Sequence, residues 1–199
     1  MTKAVVKYAS ADHGCGVSIV LCCPKTAHAF VLATLALSIA ATEASDLSLG
    51  VAPLTRKVFR DTVVPTVPEG GLLLTGAGYE KVSTQLVIKV TGQKVSGVSV
   101  TVAGDLKASH GAVIRRQQVS LLKVVYVPHR VLETDPPNWR DHYPDPIPPL
   151  REPLEVPANA NQAVLVKVAI VQHCRPGLYQ GELRVEAAGQ DSRRIALKV

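Results

Sequence analysis

The sequence predicts an all-β fold, a two-sheet antiparallel β-sandwich preceded by a hydrophobic signal helix, and three observations carry that reading. Short apolar alternations recur between turn residues after Asp46, and no 3.6-residue apolar repeat reaches helical length. Of the residues, 47% are hydrophobic and only 4% aromatic, and Val, Leu, Ile and Ala dominate. Such a composition leans towards the β-branched side chains that suit pleated strands. Fourteen Gly and fourteen Pro supply the turns. At 199 residues the chain can enclose one core, since a domain of this size removes roughly 70% of its unfolded surface from water.

In chain order, the first element is an address. Ala27 to Thr42 carries no Asp, Glu, Lys or Arg, and Lys25 stands just before it. A basic n-region followed by an apolar h-region is the pattern of a secretory signal. Phe30 to Ala41 is too short for a bilayer span of about 20 residues, and Ser38-Ile39-Ala40 or Thr42-Glu43-Ala44 offers small residues for cleavage. The division is therefore 1–44 as signal peptide and leader and 45–199 as the sandwich, with secreted material beginning near Ala41 or Ser45. A buried core helix or an uncleaved anchor is the competing reading. The leader before Lys25 is long, and a translation start near Val17 or Val20 would give it ordinary size. Cys15, Cys22 and Cys23 would leave with the signal, so only Cys174 stays. His13, Cys15, Cys22, Cys23 and His28 are crowded but lack zinc-knuckle spacing, and neither metal nor cofactor is expected.

Eight strands are predicted: Thr55 to Arg60, Gly71 to Leu74, Gln85 to Val90, Gly97 to Val102, Val119 to Val127, Ala163 to Ile170, Gly181 to Glu186 and Arg194 to Val199. Val98, Val100 and Val102 alternate, as do Val164, Val166, Val168 and Ile170, so each set should face an inter-sheet core with its polar partners outward. Ala187 to Asp191 reads as a hairpin loop in which Gly189 takes positive φ. Pro176-Gly177 precedes Tyr179, and a tyrosine at the start of a late strand bonds back to upstream backbone in immunoglobulin-like sandwiches. Tyr179 is read as that clamp, with a sugar-stacking platform as the alternative.

The formal charge of +6 comes from scattered basic residues. Arg115-Arg116 and Arg193-Arg194 are the densest pairs, each within a strand-like stretch where a solvated face explains it, so no nucleic-acid footprint is read. Phosphate-loop, nucleophile-elbow and His-Glu-x-x-His motifs are absent. Ser109-His110 and His173-Cys174 are sequence neighbours, which strands rarely turn towards each other. The richest cluster is the Pro-stiffened loop from His129 to Leu150, with Glu133, Asp135, Trp139, Asp141, His142, Tyr143, Asp145 and Ile147. Four readings compete for it: packing on a partner domain, carbohydrate contact through Trp139 and Tyr143, a metal or acid-base site, and cover for its own sheet edge. The first makes Trp139, Tyr143 and Ile147 the contact residues, with Asp141 and Asp145 at the rim and His142 among them.

Three stretches together resemble the amino-terminal domain of glycoside hydrolase family 123 and related sandwich-plus-barrel proteins. They are Ala77-Gly78-Tyr79-Glu80-Lys81-Val82-Ser83-Thr84-Gln85, Tyr143-Pro144-Asp145-Pro146-Ile147-Pro148-Pro149-Leu150, and Val156-Pro157-Ala158 through Asn161-Gln162 to Pro176-Gly177-Leu178-Tyr179-Gln180-Gly181. In the first, Ala77, Glu80, Ser83 and Gln85 match the family pattern, while Gly78, Tyr79 and Val82 replace its Arg, Asn and second Glu. The resemblance implies a sandwich followed by a barrel in which an Asp-Glu pair hydrolyses N-acetylgalactosaminides with help from the substrate's acetamido group. A barrel takes about 250 residues, so no family catalytic residue is carried onto this chain. The expected function is a non-catalytic accessory module of an exported carbohydrate-active protein, secreted, periplasmic or at the cell surface. Its partner would be a catalytic barrel domain or a separately encoded polypeptide, with glycan as a further ligand and membrane contact only through the signal segment. The alternative is a free-standing carbohydrate-binding or adhesion module.

Overall fold

The structure is a computed structural model that describes residues 45–128, 130 and 142–199. The signal helix and leader therefore lie outside the described residues, as do Trp139 and Asp141.

One sheet is built from β1 (Asp46–Pro53), β3 (Lys81–Thr91), β7 (Val119–Lys123) and β11 (Asn161–Ala169). Its order is β1-β3-β11-β7, antiparallel throughout. A second contains β2 (Leu72–Leu73), β4 (Val95–Val102), β10 (Leu154–Val156), β12 (Tyr179–Glu186) and β13 (Arg193–Lys198), ordered β10-β4-β12-β13-β2. Two short strands, β5 (Leu106–Ala108) and β6 (Val113–Ile114), extend it from β12. A ribbon pairs β8 (Tyr126–Pro128) with β9 (His142–Pro144). Among the described residues every strand pairing is antiparallel except β13 with β2. Among the described residues the one helical element is the 3₁₀ turn Arg116–Gln118.

The alternations produce the core. Leu86, Ile88 and Val90 of β3 and Val164, Val166 and Val168 of β11 join Val98 and Val100 of β4, Leu183 and Val185 of β12, and Ile195 and Leu197 of β13 in one buried cluster. Each fully buried Val, Leu or Ile contributes about 1.5–3 kcal/mol before entropy is counted. Both sheets thus share one sandwich-like core. Glu186 and Arg193 flank the expected hairpin loop, where Gly189 has φ 73°.

Several expectations are corrected. Thr55 to Arg60 is not a strand but a pair of turns, closed by Arg56 N–H to Pro53 O (3.1 Å) and Thr62 N–H to Phe59 O (3.2 Å). Val119 to Val127 divides into β7 and β8, because Val125 leaves the ladder and donates instead to Pro146 O (3.0 Å). Arg115 and Arg116 sit at the 3₁₀ turn rather than in a strand. There the Arg116 N–H (2.8 Å) and the Arg115 guanidinium (3.1 Å) hold the Asp105 carboxyl below its ordinary range. The residues that alternate with the β11 valines are not all polar and outward, since Ala163 and Leu165 are apolar and buried too. β1, β5, β6, β9 and β10 were not foreseen. β1 has a glycine at its centre, and that glycine is required: a Cβ on Gly50 would lie 2.6 Å from Val64 Cγ2 and 2.7 Å from Pro65 O. The close approach lets Val51 N–H reach Pro65 O (2.9 Å) and Val67 N–H reach Leu49 O (3.1 Å).

Candidate functional site

The face of the four-stranded sheet turned away from the shared core needs a cover, because Val87 and Ala163 project there from strands that are apolar on both sides. Segment 54–65 and β8 provide it, forming a small second cluster of Ala52, Val58, Val87, Val124, Tyr126 and Ala163. Loops laid on a sheet carry backbone carbonyls out of water, and each needs a donor. Three amides supply them. Gln85 donates to Pro53 O (2.8 Å) and Arg56 O (2.7 Å), Asn161 to Phe59 O (3.1 Å) and Thr62 O (2.6 Å), and Gln162 to Val124 O (2.8 Å) and Ala163 O (2.9 Å). Exposure of these amides is 6%, 2% and 1% respectively, so they are fold devices rather than ligands for solvent.

Two cation–aromatic pairs sit on this cover. The Arg60 guanidinium lies 3.9 Å from the Tyr126 ring centroid and donates to Asn161 O (2.9 Å) and Gln162 Oε1 (3.3 Å). Burial pushes the Tyr126 phenol up and the Arg60 guanidinium down from their ordinary values. Lys57 donates to the Tyr143 hydroxyl (2.5 Å) and stands 4.0 Å from its ring centroid, while Phe59 meets that ring edge-on at 5.6 Å. Half-buried Tyr143 is therefore held by its own chain.

The described part of the Pro-rich loop runs along the free edge of β7. Asp145 N–H reaches Val125 O (2.8 Å), Lys123 N–H reaches Pro148 O (2.9 Å) and Leu150 N–H reaches Leu121 O (2.9 Å). His142 and Asp145 are exposed, and Ile147 is 44% exposed. Residues 142–150 thus cap a sheet edge, which protects it from stray strand pairing. Lys57, Phe59, Arg60, Tyr126 and the roles of the three amides escaped sequence reasoning. The available signal was polar amides inside otherwise apolar strands, at Gln85 and at Asn161-Gln162. Among the described residues, no group of three or more His, Cys, Asp or Glu is placed to hold a metal ion.

At one end of the sheets the 77–80 turn packs on the end of β11. Ala77 N–H donates to Glu80 Oε2 (2.8 Å), Tyr79 N–H to Ile170 O (2.9 Å) and Ile170 N–H to Glu80 O (2.8 Å). Glu80, which matches the resembled pattern, is a turn cap. Tyr79, which departs from it, is 82% exposed with φ 71°. Nearby, Tyr179 is buried and its hydroxyl donates to Arg175 O (2.7 Å), the expected clamp. Its hydrogen bond with Cys174, and then burial, push its phenol up.

The family described as the Glycoside hydrolase 123 N-terminal domain matches residues 72–187. Among solved structures, a family 123 glycoside hydrolase from Clostridium perfringens, studied for glycolipid glycan hydrolysis, aligns with a TM-score of 0.59 at 12% identity. The alignment covers 77% of this chain and 27% of that one, so the likeness is one of fold and the chain spans about a quarter of the relative's length. Comparison with curated proteins gives no match.

Proposed function

Because the chain belongs to the glycoside hydrolase 123 N-terminal domain family, we propose that it is a non-catalytic, immunoglobulin-like β-sandwich module of an exported carbohydrate-active protein, packing against a catalytic barrel. The carrying observation is that the family match falls on an amino-terminal domain and on no catalytic one. The core shared by both sheets supports the two-sheet sandwich. The uncharged run from Ala27 to Thr42 supports export. The Clostridium perfringens family 123 enzyme was studied for glycolipid glycan hydrolysis, and the module's contribution would be to brace a barrel of that kind. Interface roles for Trp139, Asp141, His142, Tyr143, Asp145 and Ile147 are part of this proposal, and of these Ile147 offers the most exposed apolar surface among the described residues.

The test is an assay of the purified chain with a chromogenic N-acetylgalactosaminide. No turnover is expected, and turnover reappears only when a barrel polypeptide is supplied. Turnover by the chain alone that is lost on changing Glu133, Asp135, Asp141 or Asp145 to the amide would overturn the proposal.

A further inference from the structure

We propose that the cleft between the 77–80 turn and the end of β11 binds a neutral glycan, with a pyranose ring stacked on Tyr79. Two departures from the resembled family pattern, Gly78 and Tyr79, build it together. A Cβ at Gly78 would lie 3.0 Å from Gln172 O, so the glycine eases the close approach of the chain after β11 to the turn. The turn is held by Ala77 N–H to Glu80 Oε2 (2.8 Å), Tyr79 N–H to Ile170 O (2.9 Å) and Ile170 N–H to Glu80 O (2.8 Å). These bonds keep Tyr79 in the left-handed region at φ 71°, a conformation that persists only where the surroundings over-determine it. The outcome is a ring 82% exposed, with Val171, Lys81 and Gln172 exposed beside it.

The chemistry of the cleft selects the ligand. It is open, about 620 Å³ in volume, and lined by Tyr79, Glu80, Lys81, Ile170, Val171 and Gln172, within the range of about 300–1,000 Å³ of small-ligand sites. The face of a tyrosine ring is the negative side of its quadrupole, which suits the polarised C–H groups of a pyranose. The rim suits its hydroxyls. Lys81 donates, the Gln172 amide donates and accepts, and the Glu80 carboxylate accepts through Oε1, since the Ala77 N–H takes Oε2. Among the described residues, neither Lys81 nor Gln172 engages its side chain elsewhere. Glu80 and Lys81 side by side favour neither an acidic nor a basic ligand, whereas sugar hydroxyls use both. Size disfavours a protein partner, because a stable interface buries about 800 Å² on each side, and the exposed large apolar residues of this cleft are Tyr79 and Val171.

The experiment titrates the purified chain calorimetrically with maltotriose, cellotriose, chitotriose and N-acetyllactosamine, and with adenosine monophosphate as a phosphate-bearing ring. At least one of the sugars should bind saturably with Kd below about 1 mM. Tyr79→Asn removes the ring and tolerates the left-handed backbone, and it should weaken that binding about tenfold. Tyr79→Phe keeps the stacking face and should change it by less than about twofold. Gln172→Ala should weaken it several-fold. Saturable binding of none of the sugars up to about 10 mM, or binding unmoved by Tyr79→Asn, would overturn the site. Equal losses in the Asn and Phe variants, or tighter binding of adenosine monophosphate than of any sugar, would overturn it too. None of these results touches the accessory reading, whose test is turnover restored by a barrel.

Discussion

Tyr143 and Tyr79 both lie beside the four-stranded sheet, and their surroundings are opposite. The Tyr143 hydroxyl meets Lys57, its ring meets Phe59, and its backbone belongs to a ribbon zipped along β7 and β8. Tyr79 is fixed only through its backbone, with positive φ, and its ring stands in solvent. The first region spends its aromatic and amide groups on covering its own sheet. The second spends conformational energy to expose a ring. The cover thus adds to the stability that the shared core supplies, whereas the 77–80 turn leaves its ring in solvent.

The sharpest way to break that contrast is to remove an amide from the cover. Asn161→Ala leaves the carbonyls of Phe59 and Thr62 without their donor, and denaturant unfolding should show a loss of about 2–4 kcal/mol. A loss below about 0.5 kcal/mol would mean that segment 54–65 is not pinned by this side chain.

A smaller effect follows from Tyr126, whose phenol burial pushes up. A raised folded-state value means the folded chain keeps its proton where the unfolded chain, titrating near 10, loses it. That contribution is fully present below about pH 10 and disappears as pH rises through the folded value. Stability measured between about pH 9 and 11 should fall more steeply for the wild type than for Tyr126→Phe. Equal slopes would show that the cover does not bury the phenol.

The parts of this molecule legible in the sequence are those with a periodic signature. Val98, Val100, Val164, Val166 and Val168 announced the core because one buried face imposes a two-residue period. β1 was missed because Gly50 sits at its centre to admit Val64 and Pro65 along its other edge, a long-range fit with no local pattern. Segment 55–60 was misread because Val58 and Phe59 are apolar for packing on a sheet face, not for alternation within a strand. The family resemblance located Gln85, Glu80 and Asn161-Gln162, yet their roles emerged only with the carbonyls they satisfy. Tyr79 was visible as a departure from the family pattern, but its left-handed backbone was not.

The most direct measurement compares the unfolding free energies of Tyr143→Ala and Tyr79→Ala in the full chain. Truncating Tyr143 should cost about 1–2 kcal/mol, because a half-buried ring loses its edge contact and its lysine. Truncating Tyr79 should change stability by less than about 0.5 kcal/mol, as for an exposed side chain with no intrachain role. A core-sized loss of about 3 kcal/mol or more at Tyr79, with none at Tyr143, would reverse the assignment of the two regions and contradict the account.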